Sequence, residues 1–209
     1  MKQKIMDFIF KNGKLFDKIR NIIHDNYKDE KEIISKNSDR DKKTLDFGCG
    51  IGQFSVMFNQ NNYYGVDLDE KYINFCKINY KGKFIKINNK PPYNFDENFF
   101  DQILISAVIH HIDDKTLITI MKELKRILDK KGNILIIDHF TKENQKNLFC
   151  KFLIFLDRGK YFRNSKNVTK LLSKEFEVKN IQTFRNGPYK DYIITLKKFN
   201  QVGEYNLDS

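Results

Sequence analysis

Three kinds of residue in this chain could do chemistry together. Glycines at 48, 50 and 52 lie within Thr44-Leu45-Asp46-Phe47-Gly48-Cys49-Gly50-Ile51-Gly52-Gln53-Phe54-Ser55. Glycine takes positive φ at no steric cost, so a turn built from these residues can bring bare main chain against a ligand. Asp67 closes Asn62-Tyr63-Tyr64-Gly65-Val66-Asp67, the place where nucleotide-binding α/β folds keep a carboxylate for ribose hydroxyls, about 20 residues beyond the glycines. His110 and His111 follow the apolar run from Phe100 to Ile109, and His139 follows Ile134 to Asp138. An imidazole with a pKa of about 6.5 can take a proton from a hydroxyl or amine at neutral pH.

These residues need a scaffold that delivers them to one edge. From residue 43 the chain alternates apolar runs with amphipathic stretches. The pattern predicts strands at 43–47, 62–67, 83–87, 101–106 and 133–138, with helices at 52–60, 70–79 and 114–129. Such alternation predicts an α/β fold with a doubly wound, parallel sheet. Runs such as Ile134-Leu135-Ile136-Ile137 suit strands covered on both faces. Residues 141–173 read as helical with a break near Gly159. Two further strands, 176–183 and 191–197, are joined by Arg185-Asn186-Gly187-Pro188-Tyr189-Lys190, too short for a parallel crossover, and are expected antiparallel. Residues 1–40 read as an N-terminal helical cap or lid, with Ile5, Phe8, Ile9, Phe16, Ile19, Ile22 and Ile23 at mostly helical intervals. Residues 41–198 form the main domain and 199–209 a tail.

In wording and order these motifs resemble the Rossmann-like (class I) S-adenosylmethionine-dependent methyltransferases. Besides the glycine turn and Asp67, the segment Phe100-Asp101-Gln102-Ile103-Leu104-Ile105-Ser106-Ala107-Val108-Ile109-His110-His111 resembles that family's fourth strand. Leu124 to Gly132 resembles the helix and turn before its fifth. The resemblance implies a seven-stranded, mostly parallel sheet with the last strand antiparallel between strands five and six. It also implies that the N-terminal segment covers the substrate site.

On that resemblance S-adenosylmethionine is the expected cofactor. Gly48 and Gly50 would pass under its methionine portion, Asp46 would orient the amino group, Asp67 would hold the ribose, and Leu68 would lie beside the adenine. Asn88 stands where many relatives carry an acid facing the adenine amine. Ser106 would present its carbonyl to the cofactor. His111, then His110 and His139, are the candidate bases, Asp138 could orient an imidazole, and Tyr161 and Arg163 are candidate contacts for an acceptor, possibly an anionic one. The segment Asn89-Lys90-Pro91-Pro92-Tyr93 is similar to the Asn-Pro-Pro-Tyr signature of base-amine methyltransferases, but carries an inserted lysine and precedes strand four, so it reads as a prolyl turn.

Composition bounds the rest. At 209 residues one domain suffices, burying roughly 70% of the surface its unfolded chain would expose. Three cysteines without Cys-x-x-Cys or Cys/His ligand spacing argue against a disulfide framework or a zinc site, and no metal is expected. The absence of any long apolar run leads to the expectation of a cytoplasmic protein without a transmembrane segment. The formal charge of +11 favours anionic partners without choosing among them. The expected activity is methyl transfer to an oxygen or nitrogen of a small-molecule acceptor. RNA methylation and a noncatalytic cofactor-binding module are the alternatives, and a nicotinamide oxidoreductase is disfavoured by the Gly-x-Gly-x-Gly spacing.

Overall fold

The computed structural model describes residues 27–139, 159–186 and 189–199. The first 26 residues of the expected cap, the helical stretch expected over 141–158 and the tail beyond Phe199 lie outside the described residues. Seven strands form one sheet in the order β3-β2-β1-β4-β5-β7-β6. They are β1 (Thr44–Phe47), β2 (Tyr63–Asp67), β3 (Lys83–Lys86), β4 (Phe100–Ser106), β5 (Leu128–His139), β6 (Glu177–Asn186) and β7 (Tyr189–Lys197). Strands β1 to β5 pair in parallel, whereas β7 runs antiparallel to both β5 and β6. The β6–β7 pairing reaches Asn186 opposite Tyr189. Only an antiparallel neighbour can be reached across so short a link.

The central strands are buried on both faces because their apolar residues alternate between two cores. Leu45, Phe47, Ile103, Ile105, Ile134 and Ile136 face one core. Leu104, Leu135 and Ile137 face the other with Cys49, Phe54 and Tyr63. Helix α1 (Lys28–Asn37) adds Ile34 to the second core. Helix α2 (Glu70–Asn79) adds Ile73 and Cys76 to it and is capped by the Asp69 side chain on Lys71 N–H at 2.8 Å. Helix α3 (Asp114–Ile127) turns Leu117, Ile120, Met121, Leu124 and Ile127 into the first core at intervals of three and four residues, and Asp113 caps it. Helix α4 (Ser165–Leu172) adds Val168 and Leu172. Each fully buried aliphatic side chain of this kind stabilises by about 1.5–3 kcal/mol relative to exposure.

One expected element is much reduced. In place of a helix over 52–60 there is a single 3-10 turn, Ser55–Met57. Phe54 and Phe58 are spaced as in an amphipathic helix, and both are buried. The Ser55 hydroxyl, however, donates to the Gly52 carbonyl at 2.7 Å, a local bond that competes with helix continuation. Strand β5 also starts five residues earlier than expected, across a register shift opposite β4.

Connections from β1 lead to β2 on one side, and those from β4 lead to β5 on the other. The connections that leave the carboxyl ends of these two neighbouring strands therefore part, and a crevice opens where strand order reverses, which is where α/β sheets bind ligands.

Candidate active site

The glycine turn is fastened to β2 at several points. Gly48 N–H and Cys49 N–H both donate to the Val66 carbonyl, at 2.8 and 2.9 Å, and Gly50 N–H donates to Asp67 Oδ2 at 2.9 Å. Asp67 Oδ1 accepts from Asp69 N–H at 2.8 Å, so its carboxylate is fixed at both oxygens. Beneath the turn, Cys76 Sγ donates to the Gly50 carbonyl at 3.3 Å. Gly48 has φ +78°, and a Cβ there would lie 2.5 Å from Val108 Cγ2. Gly50 has φ +52°, and no heavy atom lies within 4 Å of the place a Cβ would occupy. One glycine thus permits close contact with the strand-four side of the crevice, and the other leaves open space above the main chain.

Asp46 lies one residue below this turn and is 1% exposed. Its Oδ2 accepts from the Tyr63 hydroxyl at 2.6 Å. Burial pushes its pKa up to about 7, opposed by the Tyr63 hydrogen bond and reinforced by the Asp67 carboxylate. Leu68 is 54% exposed, and Asn88 is exposed as well. Ser106 is half-buried, and the next residue, Ala107, has φ +55°, an uncommon conformation for a residue with a Cβ. Ala107 N–H donates to the Ile137 carbonyl at 2.8 Å, which holds that bend against β5.

Across the crevice the histidines converge. The His110 ring centroid lies 4.0 Å from that of His111 and 5.3 Å from that of His139. His110 is buried with Nδ1 2.5 Å from Asp138 Oδ1 and stacks on Phe162 at 4.9 Å. His111 is exposed. His139 Nδ1 lies 2.7 Å from Asp191 Oδ1. Burial disfavours a charged His139, but the Asp191 carboxylate outweighs this and raises its pKa above the usual imidazole value. Asp138 also accepts from Ile109 N–H at 2.7 Å, His110 N–H at 3.2 Å and His139 N–H at 2.7 Å, and so joins the end of β4 to the end of β5.

The structure uses Tyr161 and Arg163 differently from each other. Tyr161 is 41% exposed, with its N–H on the His110 carbonyl at 2.9 Å. Arg163 is 6% exposed, and its guanidinium is taken up by the chain itself. Nε and Nη2 donate to Asp114 Oδ1 at 2.9 and 2.7 Å, Nη1 to the Ile109 and Tyr161 carbonyls at 2.8 and 3.0 Å, and Nη2 to the Ile112 carbonyl at 2.6 Å. It braces the loop that carries the histidine pair. Arg163→Lys loses the planar fork that serves these acceptors and is expected to destabilise the fold by about 3 kcal/mol, read as a lowered denaturation midpoint. A loss below about 0.5 kcal/mol, the size of an ordinary surface change, would contradict the bracing role.

Asp191 escaped the sequence reading. Its partner is 52 residues away, and only the antiparallel register of β5 with β7, His139 opposite Asp191, brings the two together.

Residues 45–136 match the methyltransferase domain family. Among solved structures, a protein of Pyrococcus horikoshii OT3 superposes with a TM-score of 0.66 at 18% identity, over 90% of this chain and 92% of that one. An S-adenosylmethionine-dependent methyltransferase of Methanosarcina mazei gives 0.61 at 20% identity, over 79% and 96%. Geranyl diphosphate C-methyltransferase of Streptomyces coelicolor, solved with Mg2+, geranyl diphosphate and S-adenosyl-L-homocysteine, gives 0.62 at 14%, over 81% and 76%. No curated protein matches the chain. The sheet order and the glycine turn define a Rossmann-like fold of the methyltransferase type. Over residues 45–136 the chain is similar to the methyltransferase domain, and its fold is that of the S-adenosylmethionine-dependent methyltransferases.

The crevice residues fit that cofactor on physical grounds. Asp46 and Asp67 both stand at the glycine turn, and among the described residues neither carboxylate has a basic partner. An anionic cradle with open space over Gly50 suits a ligand that carries cationic groups. It opposes a pyrophosphate, which dinucleotide enzymes receive at this point of the fold.

Proposed function

We propose that the protein transfers a methyl group from S-adenosylmethionine to an oxygen or nitrogen of a small-molecule acceptor. The observation that carries this reading is the glycine turn at the carboxyl end of β1, with open space over Gly50 and the Asp67 carboxylate fixed beside it. Bound there, S-adenosylmethionine supplies an electrophilic methyl group on a sulfonium. In this reading Asp67, fixed by Gly50 and Asp69 N–H groups, offers its remaining lone pairs to the ribose hydroxyls. Leu68 provides an apolar face for the adenine, and Asn88 offers an amide to its edge. Asp46 and the Ser106 carbonyl face the amino-acid end. Alignment of this kind supplies several kcal/mol of the acceleration.

The acceptor enters from the β4–β5 side. His111 is the first candidate to take its proton, since it is the exposed imidazole of the three. His110, held by Asp138, is the second and His139 the third. Tyr161 lies exposed on the same rim and is available to a planar or polar acceptor.

Thermal denaturation tests the cofactor half of the reading. S-Adenosylhomocysteine at a hundred times its Kd is expected to stabilise by about 2.7 kcal/mol, roughly 5–10 °C for a chain of this size, with no effect from NAD. A rise with NAD alone would overturn it. Screening acceptors with isotopically labelled methyl donor then tests the acceptor half. If the net charge of +11 instead serves RNA methylation, RNA binding will weaken steeply with salt.

A further inference from the structure

We propose that Cys49 and Cys76 form an oxidisable dithiol beneath the glycine turn, and that closing it into a disulfide lowers the affinity of the cradle for its ligand. The second half of the proposal rests on the cofactor reading above, whereas the first half does not.

Two sulfur atoms meet under one carbonyl. Cys49 stands in the turn between Gly48 and Gly50, and Cys76 stands on α2. Cys76 Sγ donates to the Gly50 carbonyl at 3.3 Å, and Cys49 Sγ lies 3.9 Å from the same oxygen. The two thiols also hydrogen-bond to one another, and both cysteines are free and buried. Each sulfur is seated against a glycine. A Cβ at Gly65 on β2 would come within 3.0 Å of Cys49 Sγ, and one at Gly52 within 3.0 Å of Cys76 Sγ. The main chain is thus bare on both flanks of the pair.

The surroundings favour an uncharged product. The Cys76 hydrogen bond, burial and the Asp46 and Asp67 carboxylates together push the Cys49 pKa well above the usual thiol value. A disulfide carries no charge and suits a buried place beside two acids. The matching oxidant is a hydroperoxide, small and neutral, and the space over Gly50 is open to it. One sulfur attacks the peroxide, the O–O bond breaks, and a sulfenic acid forms as water leaves. The other sulfur then attacks the sulfenic sulfur, the S–S bond forms, and a second water departs. In sum the two thiols lose two electrons and two protons, and hydrogen peroxide is reduced to two waters.

Gly50 couples this chemistry to the cradle. Its carbonyl accepts from Cys76, and its N–H donates to Asp67 Oδ2 at 2.9 Å. A disulfide brings the sulfurs to about 2 Å, closer than any thiol hydrogen bond, and removes the S–H that the Gly50 carbonyl receives. The turn is drawn toward α2, and Gly50 and the carboxylate it fixes shift together. Hydrogen bonds weaken steeply with misplacement, so the ligand loses contacts present in the reduced form.

Hydrogen peroxide treatment of the full chain tests this, with Cys150→Ser as a background that removes the remaining thiol. The expected product is lighter by about 2 Da and yields a peptide linking Cys49 to Cys76 in a non-reducing digest. Calorimetric titration with S-adenosylhomocysteine is expected to show affinity weakened about tenfold or more, and dithiothreitol restores it. By reciprocity, saturating S-adenosylhomocysteine should protect the dithiol, raising the midpoint potential of the couple by about 30 mV for a tenfold effect. Cys76→Ser keeps a hydroxyl for the Gly50 carbonyl and should bind equally before and after peroxide. Cys49→Ser serves in its place if that variant does not fold.

Absence of the linked peptide from folded, oxidised protein overturns the proposal, and so does its recovery only after unfolding in guanidinium. An affinity that the disulfide leaves unchanged overturns it too, as does a loss of affinity that persists in the serine variant. In each of those cases the reduced protein still binds S-adenosylhomocysteine and the cofactor reading stands. If the reduced protein does not bind it, that reading fails, and the control of affinity fails with it whatever the digest shows.

Discussion

Asp67→Ala is expected to abolish stabilisation by S-adenosylhomocysteine while leaving the ligand-free midpoint within about 1 kcal/mol of the wild type. The expectation follows from what the carboxylate touches. Its protein partners are the Gly50 and Asp69 N–H groups, at 2.9 and 2.8 Å, on a turn and a helix cap that solvent reaches, so water can replace it in the empty cradle. A bound ribose has no such substitute. Loss of two charge-assisted hydrogen bonds, each about 1.5–3 kcal/mol, lowers affinity by roughly a hundredfold or more. Asp67→Asn, which keeps one acceptor oxygen, should fall between. Retention of the full ligand-induced shift in Asp67→Ala would remove the ribose contact from the functional reading. Collapse of the ligand-free protein would make Asp67 a structural residue.

The second large effect is expected on the other side of the crevice. Asp138→Ala removes the acceptor shared by the Ile109, His110 and His139 N–H groups and the His110 ring, and all of this is buried. Unpaired donors in a dry interior are costly. The expected loss is about 4 kcal/mol, or roughly 8–16 °C in midpoint. Burial alone would push the Asp138 pKa up, but the neighbouring His110 holds it below the usual carboxylate value. Its contribution is therefore complete above an unfolded-state pKa of about 3.9 and disappears as pH falls through the lower folded value. Denaturation of the wild type and Asp138→Ala at pH 7 and pH 3 checks both parts. A variant within 1 kcal/mol of the wild type at pH 7 would contradict them.

What was legible in the sequence was local. The glycines, Asp67 and the helix over 70–79 announce themselves through turn chemistry, a strand-end acid and an amphipathic pattern that begins at Glu70. The antiparallel β6–β7 pair followed from the shortness of its link. The reduced helix after Gly52 was not legible, because Phe54 and Phe58 bury equally well from a helix or from a 3-10 turn, and periodicity does not separate the two. Long-range pairings were hidden for a different reason. Nothing near Arg163 in the chain shows that Asp114 and the carbonyls of Ile109 and Ile112 will take up its guanidinium. Likewise the pairing of Asp46 with Tyr63 appears only once β1 lies beside β2.

The contact between the Gly48 main chain and the Val108 side chain has a consequence of its own. In the proposed reading β1 and β2 would furnish the donor half of the crevice, and β4, β5 and β7 the acceptor half. At Gly48 and Val108 the two halves meet with no room for even one extra carbon. On that reading, substitutions in the acceptor loops would change what is methylated without disturbing how the donor is loaded, so long as this seam is kept.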